Sequence, residues 1–178
     1  MRPGIALTAL LAALALAYPL KASGQSRAAQ THAASIDFAA HVREASQRFG
    51  IPEHWIYAVI RIESAGRTRA VSSAGAMGLM QLMPGTWSEM RARLGLGRDP
   101  HSPRDNILAG TLYLRLMYDR FGYPGLFAAY NAGPARYAEH VRTGRALPGE
   151  TRAYLASVAG VPVNSRSAVT AASATPRT

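Results

Sequence analysis

Pro52-Glu53-His54-Trp55-Ile56-Tyr57-Ala58-Val59-Ile60-Arg61-Ile62-Glu63-Ser64-Ala65-Gly66 reads as one helix punctuated at both ends. Proline has no amide hydrogen to lose and a φ that is already helical, so Pro52 suits the first turn. Glu53 beside it complements the positive end of the helix dipole. Trp55, Ile56, Val59, Ile60 and Ile62 then make the segment apolar enough to lie at the centre of a fold. Gly66 ends it.

The same punctuation recurs on either side. Ser35 is placed to cap a helix that carries Ile36, Ala39, Val42 and Ala45 to Phe49, stopped by Gly50. Thr86 opens a helix to about Leu94, and Ser102-Pro103 opens a longer one through Ile107, Leu108, Leu114 and Met117 to Gly122. Segments 124–131, 134–142 and 150–159 are three further short helices, the first two stopped near Gly133 and Gly144. Residues 66–78, bearing Gly and Ser, read as a loop or small irregular lobe. No run alternates long enough for a strand, and no internal repeat occurs. The expected fold is all-α, a single domain over 35–162.

Of the 178 residues 48% are apolar, which suits a globular chain, although alanine-rich ends inflate the figure. The absence of cysteine excludes disulfides, thiol catalysis, thiolate zinc sites and lipid attachment through an N-terminal cysteine. Twenty Lys plus Arg against ten Asp plus Glu give a net charge of +10, which favours an anionic partner. The charge is almost all arginine and is scattered rather than blocked, with no zinc-finger or RNP pattern.

Residues 1–24 have the layout of a secretory signal: Arg2 as the positive start, an apolar stretch from Ile5 to Ala17, then Pro19 and the small residues Ala22, Ser23 and Gly24. The stretch falls short of the ~20 apolar residues of a spanning helix. Cleavage is expected near Ala22 or Gly24, leaving a flexible lead-in at 25–34 and a mature chain in the periplasm or cell envelope. Residues 163–178, rich in Ser, Ala, Thr and Arg, are expected to be a disordered tail. Export conflicts with a nucleic-acid partner.

Chemistry concentrates at three places. Glu63 stands at the negative end of an apolar helix, and that position together with desolvation by nearby side chains raises a carboxyl pKa. A carboxyl so raised suits a general acid for glycosidic cleavage. Gly78-Leu79-Met80-Gln81-Leu82-Met83-Pro84 suits a groove floor, where glycine allows close approach, methionine packs on sugar faces and an amide reads hydroxyl or N-acetyl groups. Ala129-Tyr130-Asn131-Ala132-Gly133-Pro134 is a helix end turning into the next helix; a cap explains Asn131 and Gly133 but not Tyr130.

The order Glu63-Ser64, Gly78-Leu79-Met80-Gln81, Ala129-Tyr130-Asn131 resembles the signature of the soluble lytic transglycosylase (SLT) domain, a lysozyme-like fold. Ser72 and Gly75 fall where that family has a polar residue and a glycine. Asp105-Asn106-Ile107-Leu108-Ala109-Gly110 resembles the opening of its next long helix, and Pro148-Gly149-Glu150-Thr151-Arg152-Ala153-Tyr154 its closing motif. The resemblance runs from about 38 to 160.

The resemblance implies that Glu63 protonates the glycosidic oxygen between N-acetylmuramic acid and N-acetylglucosamine in peptidoglycan. The muramic N-acetyl group assists, and Glu63 then acts as base on the 6-hydroxyl, so that a 1,6-anhydromuramic end forms without water. It further implies that Tyr130 and Tyr154 orient Glu63 or substrate, that Ser72, Gln81 and Met83 line the sugar groove, and that Ser64 and Asn131 are scaffold. No metal or organic cofactor is implied. The positive charge acquires a target in the lactyl and peptide carboxylates of the polymer. The residues leave open a hydrolytic muramidase on the same fold, or a non-catalytic peptidoglycan-binding protein. A small catalytic domain without a wall-binding repeat resembles the specialised enzymes of secretion or conjugation machinery, with the basic tail as a candidate contact to such an apparatus.

Overall fold

A computed structural model describes residues 38–158. The signal segment, the lead-in, the Ser35 cap and the basic tail lie outside the described residues.

Helical backbone over residues 38–49, α1, ends at Gly50, which takes the left-handed φ of 65° while its amide donates to Ser46. Pro52 is the N-cap of α2, Glu53–Ser64, rather than a member of its first turn. α2 buries Trp55, Ile56, Ala58, Val59, Ile60 and Ser64, a face wide enough to make it central. Its stop also differs from expectation. Ala65 already has φ 52° and ψ 33°, and Gly66 follows at φ 78°, so the left-handed cap falls on alanine before it reaches glycine. The Ser64 hydroxyl holds this turn by donating to the Ile60 carbonyl at 3.1 Å and accepting from the Gly66 amide at 3.2 Å.

The remaining helices are α3 (Pro84–Leu94), α4 (Pro103–Phe121), α5 (Gly125–Ala132), α6 (Pro134–Thr143) and α7 (Gly149–Val158). The N-cap of α3 is Met83, three residues ahead of the expected cap Thr86, because Pro84 fills the first helical position and no side chain caps the start. The fold is all-α: among the described residues the only β contacts are isolated bridges, Val71 with Met77 and Met77 with Leu82. They tie residues 71–82 into a small lobe between α2 and α3.

α5 is buried from Gly125 through Tyr130 and packs against α4, α6 and α7, while α7 also reaches α2. Trp55 of α2 meets Tyr118 of α4 and Phe127 of α5 with ring centroids 5.8 and 5.5 Å apart, which joins three helices through one indole. Phe127 is fully buried, a burial that stabilises by about 2–3 kcal/mol. α4 enters the core with Asn106 to Thr111 all buried. Gly110 makes that entry possible: a Cβ there would stand 2.4 Å from the Met80 sulfur. Among the described residues no helix is long and apolar enough to cross a membrane.

Candidate active site

Glu63 occupies the last turn of α2 and lines a cleft of about 850 Å³. Its carboxyl pKa is raised from 4.5 to about 7, first by burial, with the Glu150 charge adding to the rise and the Tyr154 hydroxyl opposing it. Burial penalises the charged form because protein and neighbouring side chains replace water around it. Glu150 and Tyr154 stand one helical turn apart on α7, so a single element brings both influences to Glu63.

Tyr154 is itself buried, and its hydroxyl makes no hydrogen bond of normal geometry. It lies against Glu63 closely enough to favour the carboxylate, and its own pKa is pushed well up by burial and by that charge. Tyr130 is held differently: its hydroxyl donates to the Met80 carbonyl at 2.8 Å. Burial and the charge of Glu63 raise its pKa as well. Tyr130 therefore fixes the lobe against α5 while its ring edges a second recess of about 350 Å³.

Ser72 and Gln81 share the Glu63 cleft; Gln81, Met83, Tyr130 and Asn131 share the second recess. The two recesses meet at Gln81. The structure thus brings Glu63, Ser72, Gln81, Met83, Tyr130 and Asn131 along one groove, with Tyr154 beside Glu63 beneath it. The hydrogen-bonding duties differ from those expected. The Gln81 amide nitrogen donates to the carbonyls of Gly78 at 2.9 Å and Ala70 at 3.2 Å, so it ties the lobe and leaves only the amide oxygen for a ligand. Gln81 also carries a left-handed φ of 47°, which costs on the order of 1 kcal/mol in a non-glycine residue. The Ser72 hydroxyl accepts from the Ala76 amide at 3.0 Å.

Of the two methionines expected on the groove floor, Met80 lies in the core and Met83 edges the second recess. Met80 is fully buried, its side chain clamped on Gly110 with Thr111 at 3.9 Å from the sulfur; Met83 is 45% exposed. Met80 must point inward because its backbone is fixed at both polar atoms, the amide by Asn106 and the carbonyl by Tyr130.

The sequence motifs contain Asn106 and Glu150 but suggested no role for either, and Tyr113 was passed over. Asn106 is fully buried; its Oδ1 accepts from the Met80 amide at 2.8 Å, and its Nδ2 donates to Met77 and Pro100 at 3.1 and 2.8 Å. A Cβ on Gly78 would collide with it at 2.3 Å, so glycine there is a matter of space as well as of its φ of 77°. The visible signal was an amide at the start of an otherwise apolar helix face. Tyr113 packs on Tyr130 at 5.2 Å and edges the second recess. Among the described residues no group of His, Asp and Glu forms a metal site.

A half-buried carboxyl with a pKa raised to about 7, lining an open cleft, has the features of a group suited to acid–base chemistry. Residues 40–152 match the family model of the transglycosylase SLT domain, and the chain belongs to that family. It is 42% identical over 93 residues to the soluble lytic murein transglycosylase of Escherichia coli strain K12, covering 48% of this chain and 14% of that protein. It is 40% identical over 86 residues to membrane-bound lytic murein transglycosylase C of Glaesserella parasuis, covering 45% of this chain and 24% of the relative. The structure superposes with a TM-score of 0.60 and 33% identity on lytic transglycosylase Slt of Pseudomonas aeruginosa, solved as an inactive glutamate-to-glutamine mutant; the match covers 67% of this chain and 22% of that one. The chain spans only about a seventh of the length of the first curated relative, 14%.

Proposed function

We propose that this chain is a lytic transglycosylase of peptidoglycan, cleaving the β-1,4 bond between N-acetylmuramic acid and N-acetylglucosamine through Glu63. The observation that carries the reading is the Glu63 carboxyl, raised to about 7 at the head of the groove. Near that value both protonation states are populated at neutral pH, as a group that serves as acid and then as base requires. In the first step Glu63 gives its proton to the glycosidic oxygen as the bond to C1 breaks, with the muramic N-acetyl group assisting. In the second, Glu63 takes the proton of the 6-hydroxyl, and that oxygen closes on C1 to form the 1,6-anhydro ring. No water enters and Glu63 ends protonated, as it began.

The opposing influences on Glu63 fit this cycle. Burial and the Glu150 charge favour the acid; the Tyr154 hydroxyl favours the carboxylate left after proton transfer. Kinship with enzymes named murein transglycosylases supports the substrate, and an inactive glutamate-to-glutamine mutant of one such relative supports the role of a glutamate. On this reading Ser72, Gln81, Met83, Tyr130 and Tyr154 bind or orient the glycan, while Ser64 and Asn131 serve as scaffold. The mature protein then works in the cell envelope, where the wall is, and a secretion or conjugation apparatus is the proposed setting.

Mass spectrometry of muropeptides released from purified peptidoglycan tests the reaction. Ends lighter by one water support the anhydro product; hydrated reducing ends would make the protein a muramidase. No release would leave a binding protein. Glu63→Gln is expected to fold and to lose turnover, and substantial residual lysis would remove Glu63 from the acid role.

A further inference from the structure

The Glu63 cleft has a cationic wall that the acid–base chemistry does not use. Arg67 and Arg69 line it together with Glu63, Ser72 and Gln81. Both side chains are exposed, yet the backbone on either side of them is tied at several points. The Arg67 amide and its Nε both donate to the Ser64 carbonyl, at 3.1 and 3.0 Å. The Ala70 amide donates to Arg67 at 3.2 Å, and His101 Nδ1 lies 3.3 Å from the Thr68 carbonyl oxygen. The Ala70 carbonyl in turn accepts from the Gly78 amide at 2.9 Å and from Gln81 at 3.2 Å. Two guanidinium groups are thus carried on a fixed strip beside the groove.

Neither has a carboxylate partner among the described residues; the arginines that do are Arg93, Arg104, Arg115 and Arg145. The Nε of Arg67 is taken by Ser64, but its two terminal nitrogens are not, and the Arg69 fork has no hydrogen bond or ion pair among the described residues. Such a fork matches a carboxylate in two parallel hydrogen bonds. The groups that set the acidity of Glu63 are its burial, Tyr154 and Glu150; neither arginine is among them. Their charge is thus taken up by no ion pair among the described residues.

We propose that Arg67 and Arg69 form a carboxylate-binding subsite that reads the acidic substituents of muramic acid in the Glu63 groove. The proposal rests on the peptidoglycan reading above. Two sources supply that chemistry: the lactyl carboxylate of strands without stem peptides, and the peptide carboxylates of strands that carry them.

The test measures kcat and KM on three substrates: strands bearing stems, strands stripped by an amidase, and stripped strands whose carboxyls have been converted to amides. Arg69 is the position to vary, because Arg67 also holds the end of α2. Arg69→Gln is expected to cut kcat/KM about 10-fold on a carboxylate-bearing substrate, mainly through KM. Its effect on amidated strands is smaller, and Arg69→Lys recovers part of the loss. The substrate that suffers identifies the source. An Arg69→Gln protein with the wild-type ratio between carboxylate-bearing and amidated strands would overturn the subsite. Binding isotherms of the three glycans with Glu63→Gln, in low and high salt, give the same comparison without turnover. Wild-type protein that releases no product from any of the three overturns the catalytic reading, while binding still decides the subsite; equal cleavage and equal binding of all three overturn the subsite alone.

Discussion

Glu63→Gln should make the protein more stable, and by an amount that depends on pH. Below pH 4.5 the wild-type carboxyl is protonated in the folded and unfolded chain alike, and ionisation costs folding nothing. As pH rises from 4.5 to about 7, the unfolded chain releases this proton and the folded chain keeps it, so stability falls. Above about 7 the folded carboxyl ionises as well and the full penalty stands. At about 1.4 kcal/mol per pH unit, the displacement amounts to roughly 3 kcal/mol. Glutamine has the shape of the protonated acid and no charge to desolvate, so the variant escapes the penalty. Urea denaturation of both proteins from pH 4 to 8.5 gives the difference directly, because the titration of other groups is largely shared. With an m value of about 2 kcal/mol per molar urea, the midpoints should separate by roughly 1.5 M at pH 8 and coincide near pH 4. A separation that does not change with pH, or a wild type that is the more stable at pH 8, would refute the assignment of Glu63 as a desolvated acid.

The Tyr154 hydroxyl favours the ionised form of Glu63, so Tyr154→Phe should raise the Glu63 pKa further and move the basic limb of the pH–rate profile to higher pH. Turnover should fall about 10-fold through loss of the hydroxyl that supports the carboxylate; stability should be little changed near pH 4 and lower than wild type above about pH 7, where Glu63 ionises without that support, and a limb that moves to lower pH would contradict this. Asn106→Ala strands the Met80 amide and the carbonyls of Met77 and Pro100. At about 1–3 kcal/mol for each group left without a partner, offset where water enters, it should cost roughly 3–5 kcal/mol. Chemical denaturation reads that figure, and a loss below about 1 kcal/mol would show that the lobe does not depend on Asn106.

The helices were legible because their ends are local events. Gly50, Gly95, Gly122, Gly133 and Gly144 take left-handed or otherwise positive φ where helices end, and Pro84, Pro103 and Pro134 occupy helix starts. A stop set by one residue's own backbone needs no partner. Where a partner does decide, the reading slipped by a residue: the hydroxyl of Ser64 lets Ala65 turn before Gly66. The position of Glu63 at the negative end of an apolar helix was equally local, and it already implied a raised pKa.

Which of two methionines faces the groove was not local. Met80 and Met83 share one apolar loop, and only Asn106 and Tyr130, from distant helices, turn the first inward and leave the second exposed. The same holds for Gln81, whose amide nitrogen meets the lobe backbone instead of open groove, and for Tyr154 and Glu150, whose influence on Glu63 exists only because α7 packs on α2. The sequence by itself determined the helices, the all-α class and the place of the acid, because helix ends and apolar faces are set by residues a few positions apart. Tertiary structure alone decided the acid's environment and the free side of each groove residue, since desolvation and hydrogen-bond partnership depend on what packing brings near.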